Sequence, residues 1–273
     1  MRFTTILTLL SATPSRLTRL DSPSVQQIDF YHQHGGPQTI YTFQDATNAT
    51  GITQLYEGTY AVATINKVDE HSSVGVWTLH ADNATATRVF KDIPGTSFLN
   101  GLAAISSSIV LAADTLDGGI YHLNLATGIS HKILTGGVFG PGINGLRYQN
   151  GFLYYTNTLQ GIFGRIAITP TTGAASSSSA AQSLASGDLL VGADDFALAY
   201  WTDAAFITNF YKNTVVHVDF GVGGEGSVGV VVEGIPAPTT ATFGSAEGLF
   251  VATSGSGEDE GASIWSVAVL DEP

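Results

Sequence analysis

The sequence predicts an all-β protein, a six-bladed β-propeller with four-stranded blades that occupies residues 1–273 as a single domain. Three observations support this fold class. A short apolar strand ending in polar residues recurs six times, at intervals of 43 to 55 residues. Each copy is followed by a second, alternating strand. The composition, with 32 glycines, 44% hydrophobic residues and only 12% charged residues, suits short strands joined by tight turns.

The repeat units are predicted hairpins. The first strands are TILTLLS (5–11), YAVATIN (60–66), IVLAADT (109–115), FLYYTNT (152–158), LAYWTDA (198–204) and LFVATSG (249–255). The second strands are SVQQIDF (24–30), VGVWTLH (74–80), GIYHLNL (119–125), IFGRIAI (162–168), TVVHVDF (214–220) and SIWSVAV (263–269). Two further short strands fit between consecutive hairpins, which gives the four strands of a propeller blade. A β-sandwich and a β-helix are the alternative folds.

The first and last blades are incomplete in the sequence, because neither end supplies all the strands of a blade. We therefore expect the two end blades to pair with each other and close the ring. Residues 3–11 are predicted to form a strand of the first blade, but residues 1–13 also have the outline of a short secretory leader, and sequons at Asn48 and Asn83 would fit secretion. Loss of this segment would remove a blade strand, so a retained strand is favoured, which favours the cytoplasm slightly over secretion.

The charge and the absent residue types exclude several function classes. A formal net charge of −13 would repel nucleic acid and anionic membrane surfaces. No run approaches the roughly 20 apolar residues of a membrane span. The chain has no cysteine, so it offers neither a thiolate nucleophile nor a Cys-ligated zinc site. The motifs of classical zinc proteases and serine hydrolases are also absent. A small molecule is the expected partner, and the oligomeric state stays open.

Polar residues open the predicted innermost strands of three successive blades. Asn100 and Asn144 each precede a glycine, and Asp194 holds the equivalent place in the next blade. Asn-Gly is also a common turn dipeptide. Three polar openings at one level nevertheless favour a shared site at one mouth of the central channel. With one strand-end residue added from the same rim, the predicted catalytic residues are Asn100, Asn144, Asn157 and Asp194.

The predicted substrate-binding residues combine strand ends with apolar residues near the rim. The segment AAFITNFYKN (204–213) carries aromatic residues where a solvent-exposed loop is normally polar, and SATPSRLTRLDSPS (11–24) mixes leucines with arginines. An apolar rim suggests a lid over a hydrophobic ligand, and packing against neighbouring blades is the alternative explanation. The predicted substrate-binding residues are Asp114, Trp201, Phe206, Phe210, Tyr211 and Thr253.

Several segments together resemble a known propeller family. They are ATGITQL (49–55), FLNGL (98–102), ADTLDGGIYHLNLATG (113–128), GINGLRYQNGFLYYTNT (142–158), GADDFA (192–197), PTTATFG (238–244) and LFVATSG (249–255). In order and spacing they resemble the fungal branch of the senescence-marker-protein, gluconolactonase and luciferin-regenerating-enzyme-like propellers. The resemblance runs from about residue 20 to the end of the chain.

The resemblance implies a metal site, and this sequence matches only part of its ligand set. In the family a divalent metal, commonly calcium, activates a lactone or ester for hydrolysis. Asn144 and Asp194 match family ligands, and Asn100 stands in the corresponding place of the preceding blade. The family's glutamate ligand has no counterpart here, while calcium prefers six to eight oxygens including several carboxylates. We therefore expect no cofactor, with calcium held by Asn100, Asn144 and Asp194 as the alternative.

Three functions stay open at this stage. The sequence looks like the hetero-Diels-Alderases of fungal secondary metabolism, which join a tropolone quinone methide to a humulene-type sesquiterpene. Such a cycloaddition needs neither a nucleophile nor a metal, only an oriented reactant pair and hydrogen-bond donors. The alternatives are a calcium-dependent lactonase or esterase, and a non-catalytic protein that binds a small apolar ligand.

Overall fold

A computed structural model describes residues 5–8, 23–28, 38–68, 71–175, 180–221, 226–244, 248–254 and 263–268. The described chain is built from β-strands, with two single-turn 3₁₀ helices at Gly137–Phe139 and Asp188–Leu190. The strands are β1 (Thr5–Thr8), β2 (Ser24–Ile28), β3 (Gln38–Thr42), β4 (Asn48–Tyr56), β5 (Thr59–Val68), β6 (His71–His80), β7 (Thr85–Phe90), β8 (Leu99–Ala104), β9 (Ile109–Asp114), β10 (Ile120–Asn124), β11 (Ile129–Leu134), β12 (Ile143–Gln149), β13 (Phe152–Asn157), β14 (Ile162–Ala167), β15 (Gln182–Ser186), β16 (Ala193–Leu198), β17 (Ala204–Asn209), β18 (Thr214–Asp219), β19 (Ser227–Glu233), β20 (Pro238–Phe243), β21 (Gly248–Thr253) and β22 (Ser263–Ala268). Within these ranges, no helix has the length and apolar character needed to cross a membrane.

The strands form antiparallel meanders in chain order. Four sheets are complete four-stranded blades, namely β4–β7, β8–β11, β12–β15 and β16–β19, whereas β1–β3 and β20–β22 have three strands each. The first strands of successive sheets, β4, β8, β12, β16 and β20, pack side by side. Radial meanders whose first strands surround one axis are the arrangement of a β-propeller. The predicted all-β propeller with four-stranded blades is therefore confirmed.

The prediction of six blades is wrong: the structure shows five blades in the described part of the chain, and the first strands that pack in succession are β4, β8, β12, β16 and β20. The expected pairing between the two ends of the chain is also not found: no ladder joins β1–β3 to β20–β22 among the described strands. Residues Thr5–Thr8 do form a strand, but it pairs with β2 and packs beside β4. Each end sheet is a meander of sequence neighbours, which short connections bring together more readily than distant segments. Most of the segment 11–24 lies outside the described residues.

The blade β16–β19 differs from the predicted hairpin in one strand. The strand after β16 was expected at residues 198–204, the first strand of the predicted hairpin. Instead, Leu198 is the last residue of β16, and Tyr200–Asp203 form the bend that follows. The second strand is instead Ala204–Asn209, all six residues of which are buried. A strand covered on both faces has no polar alternation to mark it. The shift moves the aromatic segment 204–209 from the predicted rim into the blade.

Apolar side chains pack between neighbouring blades and fix where the inner strands lie. Between β12–β15 and β16–β19, the ring of Phe163 is 5.1 Å from that of Phe196 and 5.7 Å from that of Phe220. All three rings are buried. Burial of one such side chain contributes about 2–3 kcal/mol. This packing makes the start of β16 a rigid platform for the residues that open it.

Candidate functional site at the channel mouth

The inner strands share an irregularity at the end of the channel where they begin, which is called the channel mouth below. The antiparallel register slips between Leu99 and Leu102 in β8, between Ile143 and Leu146 in β12, and between Ala193 and Phe196 in β16. Similar slips occur near the start of β4 and of β20. A β-bulge bends its strand and re-aims side chains. The bulged pairs are Asn100–Gly101, Asn144–Gly145 and Asp194–Asp195.

Glycines allow the inner strands to touch at this level. A Cβ atom at Gly101 would overlap the backbone carbonyl group of Asn144. A Cβ atom at Gly145 would lie 2.9 Å from the carbonyl oxygen of Asp194. The structure therefore brings Asn100, Asn144 and Asp194 to the same end of the channel, on three adjacent inner strands.

Asn144 is held in place on one side and unpaired on the other. Asn144 is buried, with only 5% of its surface exposed. The Nδ2 atom donates to Thr158 Oγ1 at 2.9 Å, and that hydroxyl donates to the carbonyl oxygen of Ala193 at 2.6 Å. The Oδ1 atom is buried and has no hydrogen-bond partner among the described residues. A buried acceptor without a donor costs about 1–3 kcal/mol, so such an atom points to a missing partner.

Asp194 carries an unusual carboxyl group. Burial, followed by the negative charge of Asp195, raises the pKa of Asp194 from 3.8 to about 8, although hydrogen bonding by the Asn144 side chain lowers it somewhat. At neutral pH the carboxyl is therefore mainly protonated. A neutral carboxylic acid has an O–H donor that a carboxylate lacks. The channel mouth thus offers one acidic donor beside an amide.

Asn100 is partly exposed, and its side chain makes no hydrogen bond within the described part of the chain. It is therefore free to turn towards a molecule at the mouth. A Cβ atom at Gly51 would overlap the backbone carbonyl oxygen of Asn100. The main chain of Asn100 is therefore fixed by close contact with β4.

Asp195 faces a different set of partners from Asp194. Its Oδ2 atom accepts a hydrogen bond from Arg147 Nη2 at 2.6 Å and another from Thr240 Oγ1 at 2.7 Å. Neither Arg147 nor Thr240 was predicted from the sequence as a site residue. A signal was present: the two preceding bulges read Asn-Gly, whereas the third reads Asp-Asp, which places a side chain where glycine had been required.

Two predicted site residues hold loops instead of lining the site. Asp114 is buried at the end of β9, and its carboxylate accepts hydrogen bonds from the backbone N–H groups of Ser97 and Phe98 at 3.0 and 3.2 Å. Asn157 is buried at the equivalent end of β13, and its Nδ2 donates to the carbonyl oxygen of Val138 at 3.0 Å. These contacts occupy both side chains, so we do not include them in the proposed site.

Thr253 has the same strand-end position in β21. It is buried, and its Oγ1 lies 2.9 Å from Ser263 Oγ and accepts from the Ser263 backbone N–H at 3.1 Å. The corresponding residue of β17 is Asn209, whose Nδ2 donates to the carbonyl oxygens of Leu189 and Val191 at 2.9 Å each. Asn209 was not predicted from the sequence, because the strand after β16 was expected at residues 198–204 and β17 is Ala204–Asn209. Strand-end polar residues in these blades therefore support loops.

The aromatic residues of the predicted rim lie in three different places. Phe206 is 4% exposed and packs edge to face on Phe243 at 5.4 Å, so it belongs to the core. Trp201 lies in the bend between β16 and β17, at the end opposite the channel mouth, with its ring 4.8 Å from that of Phe243. Phe210 and Tyr211 follow β17 on the mouth side and are 38% and 61% exposed. Only these last two can contact a ligand at the mouth.

The described residues do not fit a tight calcium site. Calcium needs six to eight oxygen ligands, and high affinity needs several carboxylates. The unpaired Asn144 Oδ1 and the Asp194 carboxyl could each supply a ligand. The second carboxylate at this level, Asp195, accepts hydrogen bonds from Arg147 and Thr240 through Oδ2, while its Oδ1 is buried without a hydrogen-bond partner among the described residues. These side chains together offer far fewer free oxygens than the six to eight that calcium needs. No group of three or more His, Cys, Asp or Glu side chains that could hold a metal occurs in the described ranges.

Comparison with known proteins identifies the fold. No protein-family profile matches the sequence, and no curated protein matches it. A structure of luciferin-regenerating enzyme is similar with a TM-score of 0.69 and 13% identity, covering 93% of this chain and 87% of that one. A chain of the nidogen/laminin complex gives 0.69 and 11%, covering 92% and 86%, and a streptogramin B lyase gives 0.55 and 14%, covering 89% and 72%. These similarities show a propeller fold.

Proposed function

We propose that this protein is an enzyme that binds a small apolar reactant pair at the channel mouth and promotes a hetero-Diels-Alder cycloaddition. The proposed reactants are a tropolone quinone methide and a sesquiterpene, in fungal secondary metabolism. The sequence resemblance supplies the reaction class. The observation that supports it best is the carboxyl of Asp194, a half-buried residue, which is mainly protonated at neutral pH and lies beside the amide of Asn144.

The reaction suits a site with donors and no nucleophile. In the cycloaddition the carbonyl oxygen and the terminal carbon of the heterodiene each form one σ bond to the alkene, while the π electrons rearrange and no group leaves. The oxygen is the atom that a donor can activate. In the proposed complex the Asp194 O–H donates to this oxygen and withdraws electron density from the heterodiene. A hydrogen bond that strengthens in the transition state lowers the barrier more than one that binds the ground state equally well.

Orientation supplies the second contribution. Phe210 and Tyr211 are exposed on the mouth side, with their rings 5.9 Å apart and edge to face. Aromatic side chains at a rim cover apolar ligand surface and exclude water. Holding two reactants in contact can contribute several kcal/mol to the rate, because it removes the entropy cost of a bimolecular encounter.

The structural neighbours support an enzyme in general terms. Two of the similar propellers are named as enzymes, a luciferin-regenerating enzyme and a streptogramin B lyase. Another similar chain comes from a nidogen/laminin complex, which is named for an assembly and not for a reaction. The choice between an enzyme and a binding protein therefore depends on the chemistry of the channel mouth. A neutral carboxyl there is more suited to catalysis than to simple retention of an apolar ligand.

The proposal is tested by turnover of the reactant pair with wild-type protein and with Asp194→Ala. Loss of one strong hydrogen bond, about 1.5–3 kcal/mol, should slow turnover roughly 10- to 100-fold without abolishing it. Asp188→Asn is the matched control, because Asp188 is 89% exposed on its side chain and pairs only with Lys212 at the surface. Unchanged turnover in Asp194→Ala would place the chemistry elsewhere. Hydrolysis of a lactone or ester in place of cycloaddition would overturn the proposed reaction.

A further inference from the structure

The bulge of β16 has an aspartate, and that of β20 a threonine, where β4, β8 and β12 have glycine. The second bulge position is glycine in β4, β8 and β12, namely Gly51, Gly101 and Gly145. At Gly51 and Gly101 a Cβ atom would overlap the next inner strand, so backbones are in contact there. In β16 the same position holds Asp195, and its side chain fills the space that backbone contact fills elsewhere. Since β12 and β16 are also in backbone contact at Gly145, the contacts of the Asp195 side chain add to that contact in fixing the position of β16.

Asp195 is tied to both neighbouring inner strands. Arg147 on β12 donates to Oδ2 at 2.6 Å, and Thr240 on β20 donates to the same oxygen at 2.7 Å. The Arg147 and Asp195 side chains are only 31% and 19% exposed, which reduces the screening of this ion pair by water. These contacts connect three inner strands across the bulge, and we call Arg147, Asp195 and Thr240 the bulge brace.

Two members of the bulge brace, Arg147 and Asp195, are held by further contacts. Arg147 Nη1 donates to the carbonyl oxygen of Leu146 at 2.8 Å, and its guanidinium carbon lies 5.5 Å from the ring centroid of Phe196. The backbone of Asp195 is fixed by Thr208, whose Oγ1 donates to the Asp195 carbonyl oxygen at 2.8 Å. Gly145 leaves room for the carboxylate, since a Cβ there would lie 2.6 Å from Asp195 Oδ1. The brace is therefore a preorganised unit.

We propose that Arg147 and Thr240 are positioning residues, which hold Asp195 and thereby fix the bulge from which Asp194 enters the channel mouth. The inference rests on the proposed function, because Asp194 is the group that is positioned. Asp194 and Asp195 are adjacent in one bulge, so rotation of the Asp195 backbone also moves the Asp194 side chain. A reacting group misplaced by about 1 Å can lose roughly 100-fold in rate.

The test uses variants that separate positioning from stability. Arg147→Met leaves the carboxylate of Asp195 without its cation and is expected to destabilise the fold. The double variant Arg147→Met/Asp195→Asn removes both charges and should restore the thermal midpoint. If the brace positions Asp194, the double variant keeps a kcat about 10- to 100-fold below wild type with KM within about twofold. Recovery of kcat together with stability would show a purely structural role and overturn the inference.

Conservative and matched variants complete the test. Thr240→Ser keeps the hydroxyl and should keep kcat, whereas Thr240→Val has nearly the same shape without the donor and should lower it. A crystal structure of the double variant should show the Asp194 carboxyl displaced by on the order of 1 Å, and an unmoved carboxyl would contradict the proposal. Asp194→Ala, which removes the donor, is assayed in parallel. If it does not slow turnover, the proposed function fails; if it does while the brace variants turn over normally, only the positioning role fails.

Discussion

Replacement of Asp194 by asparagine should make the protein more stable at alkaline pH. The side chains have nearly the same size, so the substitution mainly removes an ionisable group. Burial raises the pKa of the native carboxyl to about 8, whereas the unfolded chain has the ordinary value of 3.8. Between these values the native state keeps a proton that the unfolded chain has lost. Stability is therefore complete below about pH 4 and falls as the pH rises towards 8.

The size of the effect follows from the same two values. They are separated by roughly four pH units, and each unit corresponds to about 1.4 kcal/mol, which gives an upper bound of about 6 kcal/mol. Asp194 is partly exposed, and water that enters the channel mouth stabilises the ionised form. We therefore expect Asp194→Asn to gain about 2–4 kcal/mol relative to wild type at pH 9. At pH 5 the gain should be smaller, about 1 kcal/mol.

Urea unfolding at pH 5 and pH 9 measures this directly. The midpoint of wild-type protein should fall between the two pH values by clearly more than that of Asp194→Asn. Asp188→Asn serves as the control, because that carboxylate is at the surface and should show the wild-type pH dependence. An equal difference between wild type and Asp194→Asn at both pH values would refute the elevated pKa, and with it the neutral donor on which the proposed mechanism depends.

Further predictions concern activity and packing. Turnover should be constant up to about pH 7 and decline as the pH rises through about 8, because Asp194 loses its proton there. A pH–rate profile measures this, and a rise of turnover over the same range would contradict it. Phe210→Ala should lower kcat/KM about 10-fold or more, whereas Trp201→Ala, on the opposite end, should lower the thermal midpoint and leave kcat within about twofold. Gly101→Ala should destabilise by about 2 kcal/mol or more, since the added methyl meets the Asn144 carbonyl group; an unchanged unfolding midpoint would argue against backbone contact between β8 and β12.

Much of the fold could be predicted from the sequence because propeller blades are local. Each blade is a meander of consecutive strands, so a repeating strand pattern with fixed spacing indicates the architecture. The strand β17 was misplaced because Leu198–Ala204 resembles the neighbouring second strands in sequence, while the real strand, Ala204–Asn209, is buried on both faces and lacks alternation. Whether the two chain ends pair could not be predicted, since no local pattern encodes contacts between distant segments. Among the described strands the end sheets β1–β3 and β20–β22 are not paired.

The candidate site was only partly visible in the sequence. Asn100, Asn144 and Asp194 could be found because they open equivalent strands, and the structure brings them to one end of the channel. Asp114 and Asn157 were selected on similar grounds, but their side chains bind loop backbone, a role that depends on loop geometry. Arg147 and Thr240 act through Asp195 from two other blades, and such contacts between blades leave no spacing signal. The Asp-Asp pair in place of Asn-Gly was the available clue.

The most direct test of the account is turnover of the tropolone quinone methide and sesquiterpene pair in excess chelator, followed by addition of calcium. A pericyclic reaction activated by the Asp194 donor requires no metal, so turnover should be unchanged by the chelator and by restored calcium. Complete loss of turnover in chelator, with full recovery on addition of calcium, would contradict the account and favour a calcium-dependent mechanism.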